Sequence, residues 1–255
     1  MTVYFIGAGP GSVDLLTVRA VKLIERCPVC LYAGSIIPPE VVELCPEDAE
    51  VINTARMPLD DIMSIIRRAH AEGKDVARLH SGDPAVYSAV GEQIHALEAG
   101  INYEIVPGVP AFSAAAAAIG QELTIPELGQ TVILTRISGR ASKMPEGEDL
   151  ASLAAHKTTL AIHLAAHDKE RITAELIPFY GESCPVVIVA YASRPEQEII
   201  RTDLAHMAED AKEIRRTAII FVGPVLDNPE SRVRSYLYSD DRPRDDHGRT
   251  IPCAN

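Results

Sequence analysis

The sequence predicts an α/β fold in two domains, and three observations carry that prediction. Short apolar runs alternate with amphipathic stretches through the first half, the pattern of parallel strands joined by helical crossovers. The segment Leu123-Thr-Ile-Pro-Glu-Leu-Gly129 interrupts the alternation, and a second strand-rich stretch follows it. A length of 255 residues, at roughly 150 per domain, suits one large or two modest domains. The expected division is residues 1–122, residues 123–239, and a tail over 240–255.

In order, Val3–Ile6 reads as a strand, and Leu15–Arg26 as a helix with apolar Leu15, Leu16, Val18, Val21, Leu23 and Ile24. Val29–Tyr32 is a strand, Pro39–Leu44 a short helix, and Asp60–Ala71 a longer helix closed by Gly73. Val76–His80 is a strand, Val86–Glu98 a helix ending at Gly100, and Tyr103–Val106 a strand. Ala111–Ile119 consists almost entirely of small apolar residues and fits a helix packed closely on a sheet. Beyond the break, Thr131–Thr135 and Thr159–His163 are strands and Lys169–Ile177 a helix. Val186–Ala192 and Glu198–Asp203 are separated only by Ser193-Arg-Pro-Glu-Gln197, a connection that favours an antiparallel hairpin. Ala218–Val222 is a further strand. The tail from Asp240 to Asn255, with four Asp, three Arg and two Pro and no periodicity, reads as mobile.

Composition excludes several function classes. With 47% hydrophobic residues the chain can bury a core, so global disorder is excluded. No apolar run approaches the ~18–20 residues that span a bilayer, and the N-terminus lacks the basic region of a signal peptide. A net charge of −12 argues against sequence-independent nucleic-acid binding, which needs a basic face to displace counterions. An odd number of cysteines, five, does not suit a secreted disulfide framework, and the expected location is the cytoplasm.

Three punctuations stand at strand ends. Gly7-Ala-Gly9-Pro10-Gly11 follows the first strand but is not a dinucleotide fingerprint: the third glycine comes one position early, and Pro10 removes an amide that would cradle phosphate. The next strand ends in Leu31-Tyr32-Ala33-Gly34, without the acidic residue that a ribose would need. Ser81-Gly82-Asp83-Pro84 follows the strand ending at His80, with Asp83 placed as a helix N-cap. Val106-Pro107-Gly108-Val109 is the third. One such turn is only a tight connection; three at the same edge of a parallel sheet line the crevice where open α/β sheets bind ligands.

These motifs resemble those of the tetrapyrrole methylases, the class III S-adenosylmethionine-dependent methyltransferases. Gly7-Ala-Gly-Pro-Gly-Ser-Val-Asp-Leu-Leu-Thr17 is similar to the family's opening motif, Ser81-Gly-Asp-Pro84 to its second and Val106-Pro-Gly-Val109 to its third. Tyr191-Ala-Ser-Arg-Pro-Glu-Gln-Glu198 and Ala218-Ile-Ile-Phe-Val-Gly-Pro-Val225 are similar to two C-terminal motifs, so the resemblance spans nearly the whole chain. It implies two α/β domains with the cofactor in a cleft between them, usually in a homodimer. The cofactor contacts it implies are Pro10, Gly82, Asp83, Val86, Tyr87, Ala111, Phe112, Leu164, Tyr191, Ala192 and Ala218. Within the family, Leu31-Tyr-Ala-Gly-Ser-Ile-Ile-Pro38, Arg78-Leu-His-Ser-Gly-Asp-Pro-Ala-Val-Tyr87 and Thr135-Arg-Ile-Ser-Gly-Arg140 resemble the branch that methylates C11 of precorrin-4, or its cobalt form, in cobalamin biosynthesis.

That reaction makes C11 quaternary, so no strong base is required there. Asp83, His80 and Tyr32 are the candidates for local proton handling or macrocycle hydrogen bonding. A precorrin carries many carboxylate arms, and Arg136, Arg140 and Lys143 supply three cations in eight residues to meet them. The other readings carried are methylation at another ring carbon of another precorrin, a nucleotide-dependent oxidoreductase, and a non-catalytic binding module.

Some constellations read as structural. Cys27-Pro-Val-Cys30 closes a helix and enters a strand, the reverse of a thioredoxin-type motif, and no second pair completes a zinc set. His156, His163 and His167 lack an acidic or cysteine partner at ligand spacing. Serine-hydrolase and P-loop motifs are absent from the sequence.

Overall fold

Strand β1 (Thr2–Gly7) is the axis of the first sheet, buried along almost its whole length because apolar residues occupy both of its faces. The computed structural model describes residues 1–139 and 143–227, together with 244 and 248. β1 pairs in parallel with β4 (Val76–His80) on one side and β5 (Asn102–Val106) on the other. Outward from β4 lie β2 (Val29–Tyr32) and β3 (Glu50–Asn53), also parallel, giving the order β3-β2-β4-β1-β5. The chain leaves β1 for β2 in one direction and leaves β4 for β5 in the other. The strand order therefore reverses between β1 and β4, and the carboxyl ends flanking such a reversal are where open α/β sheets bind ligands.

The two faces of this sheet are covered by different helices. Tyr4, Ile6, Ala77 and Leu79 pack with Leu23 and Ile24 of α1 (Val18–Ile24), and Val41 of α2 (Pro39–Val42) joins the same cluster. Val3, Phe5 and Leu31 pack with Ile62, Met63, Ile66 and Ala69 of α3 (Leu59–Ala71). Acidic Asp60 and Asp61 in the first turn of α3, and Arg68 and His70 in its last, complement the helix dipole. Two further helices of this half, α4 (Val90–His95) and α5 (Ala111–Ala118), follow β4 and β5.

The second sheet has the order β6-β7-β10-β8-β9, with β6 (Val132–Arg136), β7 (Thr159–His163), β8 (Pro185–Ala190), β9 (Glu198–Asp203) and β10 (Ala218–Val222). β6 and β7 run parallel, whereas β7 and β10 are antiparallel. β8 and β9 are neighbours. The helices of this half are α6 (Leu150–Ala154), α7 (Lys169–Tyr180) and α8 (Met207–Asp210). The chain forms two compact units: Met1–Ile119 with Ile188–Ile200 and Glu213–Ile219, and Gly120–Val187 with Arg201–Lys212 and the described residues from Ile220 on.

The α/β class is as expected, with local differences. The helix expected from Leu15 is a 3-10 turn over Val13–Leu15 followed by α1, whose N-cap Thr17 accepts from the Ala20 amide at 3.1 Å. The helix expected from Val86 begins only at Val90, because Tyr87 and Ala89 both hold a left-handed backbone at φ 53°. Asp83 therefore caps no helix. β3, α6 and α8 had no sequence signal: β3 is largely exposed and lacks apolar alternation, and the two helices have five and four residues. The expected mobile tail lies, apart from residues 244 and 248, outside the described residues. Among the described residues no helix is long and apolar enough to cross a membrane.

Candidate functional site

The three turns after β1, β4 and β5 meet backbone to backbone. A β-carbon added to Gly7 would lie 2.5 Å from the Gly108 nitrogen and 2.8 Å from the Gly82 oxygen, and one added to Gly108 would collide with the Gly82 carbonyl. Only glycine allows this approach. Hydrogen bonds tie it down: the Ala8 amide donates to the His80 carbonyl at 2.8 Å, and Gly9 and Gly82 exchange both amides, at 3.2 and 2.7 Å. Gly9 and Gly82 hold left-handed φ values of 69° and 67°, which a side chain would strain.

Asp83 closes the junction. Its Oδ1 accepts from the Ala85 amide at 2.7 Å and its Oδ2 from the Gly108 amide at 2.8 Å, so one carboxylate links the second turn to the third. Pro10 and Gly82 are buried at this junction, and the Ala111 nitrogen approaches Gly82 from the start of α5, where Phe112 follows. Pro10, Gly82, Asp83 and Ala111 are thus brought together. Val86 is half-buried in the same turn, and Tyr87 is 44% exposed on its left-handed backbone.

Beside the turns stand two buried bases on β4. Arg78, 8% exposed, donates from Nε to Gln93 Oε1 at 2.8 Å and from Nη1 to Thr54 Oγ1 at 2.9 Å, both neutral acceptors. Burial lowers the guanidinium to about 10, still a cation at neutral pH. His80, 6% exposed, packs its ring 5.8 Å from that of Phe5. Burial first, and the charge of Arg78 second, push His80 down to about 4 against an opposing hydrogen bond with the Ser88 backbone. The imidazole is therefore neutral, and its Nε2 is buried with no hydrogen-bond partner among the described residues. Tyr32 ends β2, where its carbonyl accepts from the Thr54 amide at 2.7 Å and from Thr54 Oγ1 at 3.1 Å.

Two of the later candidates, Leu164 and Tyr191, carry backbone strain. Tyr191 sits at φ 49° directly after β8, and its amide donates to the Thr217 carbonyl at 2.9 Å, beside Ala218 at the start of β10. Buried Ala192 follows. Leu164, at the carboxyl end of β7, holds φ 55° and leaves its side chain 66% exposed. A left-handed non-glycine residue costs of order 1–3 kcal/mol, and such residues cluster at ligand clamps. Three of the eleven expected cofactor contacts (Tyr87, Leu164 and Tyr191) are of this kind.

Of the expected substrate cations, Arg136 turns onto its own loop, donating from Nη1 to the Ile137 carbonyl at 3.1 Å and from Nη2 to the Lys143 carbonyl at 3.4 Å. Lys143 is exposed, and Arg140 lies outside the described residues. The Cys27 and Cys30 thiols are buried in the α1-side core, where burial pushes Cys27 up to about 12 and a hydrogen bond with Cys45 raises Cys30 further. Gln93 and Thr54, the partners of Arg78, carry no signal in the sequence, and Arg78 itself stands there only as part of a motif. A charge inside a strand of buried residues was the available signal for Arg78.

Comparison with known proteins gives a consistent result. The family model of the Tetrapyrrole (Corrin/Porphyrin) Methylases matches residues 2–208. A precorrin-4 C(11)-methyltransferase of Rhodococcus erythropolis is 53% identical over 250 residues, 97% of this chain and 100% of that protein. Among solved structures, a cobalt precorrin-4 methyltransferase of cobalamin biosynthesis superposes with a TM-score of 0.86 at 42% identity, covering 89% of this chain and 96% of the other. A uroporphyrin-III C-methyl transferase from Thermus thermophilus, complexed with S-adenosyl homocysteine, gives 0.75 at 28% identity, covering 89% and 99%.

Proposed function

The chain belongs to the tetrapyrrole methylases, and on that premise we propose that it transfers the methyl group of S-adenosylmethionine to C11 of precorrin-4, or its cobalt form, in cobalamin biosynthesis. The observation that carries the reading is the junction of Gly7, Gly82 and Gly108 at the reversal point of the first sheet, closed by Asp83. Its surface is built from backbone groups and small apolar side chains, and its carboxylate is already engaged by two amides. Such a surface suits an uncharged nucleoside rather than a pyrophosphate, which would call for free amides at a helix start.

Pro10, Gly82, Asp83, Val86, Tyr87, Ala111 and Phe112 would hold the cofactor from the first turns, and Leu164, Tyr191, Ala192 and Ala218 from the later segments. When bound, S-adenosylmethionine supplies a methyl group already activated on a cationic sulfur. The work left to the chain is positioning and exclusion of water. Positioning alone contributes ~7–11 kcal/mol in well-oriented systems, and the rigid backbone junction is suited to it. His80, neutral at physiological pH, adds no second cation to that of Arg78 on β4. C11 becomes quaternary, so no proton leaves that carbon and no dedicated base is needed there. Arg136, Arg140 and Lys143 would meet the carboxylate arms of the tetrapyrrole.

The same proposal places the enzyme in the cytoplasm as a homodimer. Exposed Tyr103 and Ile105 on the edge strand β5 support an oligomeric interface. The test is isothermal titration with S-adenosylhomocysteine, with NADH beside it, followed by methyl transfer to precorrin-4 and location of the new methyl by NMR. Binding of the homocysteine form alone and methylation at C11 are expected. Preference for NADH would return the glycine turn to an oxidoreductase, and methylation at another carbon would reassign the substrate.

A further inference from the structure

The loop after β8 grips the first glycine turn through its side chains. Both segments belong to the first compact unit. The Ser12 amide donates to Ser193 Oγ at 3.1 Å, and the stem of Arg194 lies across Gly11. A β-carbon on Gly11 would come within 2.5 Å of Arg194 Cγ and 2.8 Å of its Nε. Gly11, unlike Gly9, is not in a left-handed conformation, so its missing side chain serves this contact rather than the turn. At its far end, Arg194 Nη2 donates to the carbonyl of Ile36, in the loop that follows Tyr32.

The loop is rigid enough to transmit this. Gln197 Oε1 accepts from the Ser193 amide at 2.9 Å, the Arg194 amide donates to the Tyr191 carbonyl at 3.0 Å, and the Gln197 amide donates to the Arg194 carbonyl at 3.0 Å. Tyr191 and Ser193, both left-handed at φ 49° and 67°, are held by these bonds. One side chain thus touches the turn carrying Pro10, belongs to the loop carrying Tyr191 and Ala192, and reaches the loop adjoining Tyr32.

We propose that Arg194 is a positioning residue that couples the cofactor-side glycine turn to the Ala33–Ile37 loop, its stem holding the first and its guanidinium the second. The proposal rests on the reading of this site as the S-adenosylmethionine site. Arg194→Met keeps a stem without the donor. It is expected to leave S-adenosylhomocysteine affinity within about twofold while lowering kcat/KM for precorrin-4 at least fivefold, with Arg194→Lys recovering part of that loss. Arg194→Ala and Gly11→Ala are each expected to weaken S-adenosylhomocysteine binding about tenfold. The double variant should bind no more weakly than R194A alone, because the added methyl then has room.

Additive losses in that cycle, or unchanged binding and kcat/KM in both R194M and R194A, would overturn the proposal. The same cycle is read in thermal melting: G11A should lower Tm with arginine at position 194 and leave it unchanged in the R194A background. This arm stands even if the wild-type protein fails to bind S-adenosylhomocysteine, an outcome that would remove the functional reading and not the clamp.

Discussion

At Asp83 both carboxylate oxygens accept backbone amides, from Ala85 in its own turn and from Gly108 in the turn after β5. A side chain used in this way is a staple first, and replacing it with asparagine turns one acceptor into a donor facing an N–H. Leaving a partly buried amide unpaired costs roughly 1–3 kcal/mol. Asp83→Asn is therefore expected to lower the urea midpoint and weaken S-adenosylhomocysteine binding together; an unchanged midpoint would show that the staple carries no stability. His80 makes a different prediction. Its folded-state value, near 4, lies below the ordinary 6.5 because burial disfavours the imidazolium. The unfolded chain then binds the extra proton between those values, so this contribution is fully present above pH 6.5 and is lost as pH falls toward 4. His163, lowered to about 4 by burial, behaves alike. Roughly 2 kcal/mol per histidine should disappear between pH 7 and pH 5. Urea titrations at the two pH values check this: His80→Gln should flatten the pH dependence by its share, and an equally steep profile would refute the assignment.

At the level of elements, the turns matter more than the strands and helices they connect. Gly7 and Gly108 face backbone atoms, which cannot rotate away as a side chain can, so Gly7→Ala or Gly108→Ala must pull β1 and β5 apart or distort the Gly82 turn. Gly73, which closes α3, is the control: it has a left-handed φ of 69° but nothing within 4 Å of an added β-carbon. Gly73→Ala should cost only the conformational penalty of about 1–2 kcal/mol, while the other two should lose more than that and lose S-adenosylhomocysteine binding as well. Equal melting temperatures for all three variants would contradict the junction. The same comparison explains what was legible in the sequence. Three glycine turns after three apolar strands announced the crevice, because strand and turn signals are local. The start of α4 was not legible, since Tyr87 and Ala89 carry no residue-level preference for the left-handed backbone they adopt; tertiary contacts hold them there. Asp83 before Pro84 reads locally as a helix cap, and only the proximity of Gly108 shows that it serves a different bond. Arg194 was visible only as a letter in a motif, because its meaning depends on Gly11 and Ile36, 183 and 158 positions away.

For the whole molecule, the net charge of −12 sets a problem that the site has to solve. A tetrapyrrole bearing carboxylate arms approaches a protein of the same sign, so the long-range field opposes the encounter even if, as proposed, Arg136 and Lys143 favour it at contact. These two effects respond to salt in opposite directions. The field of the whole chain acts over a Debye length, about 30 Å at 0.01 M and about 8 Å at 0.15 M ionic strength, and is screened first. Short-range contacts between paired charges are screened less. If encounter limits kcat/KM, raising ionic strength over this range should increase it severalfold for the anionic substrate. S-adenosylmethionine, which carries a cationic sulfonium, should bind no better, and slightly worse, in the same series. Arg136→Ala should lower kcat/KM at every salt concentration while keeping its rise with salt, because the variant removes a local contact and leaves the global field more negative. Stopped-flow or steady-state measurements at fixed pH decide the matter. A kcat/KM that falls with salt would mean that a local basic surface governs capture from a distance, and the cations after β6 would then have to steer the substrate rather than hold it.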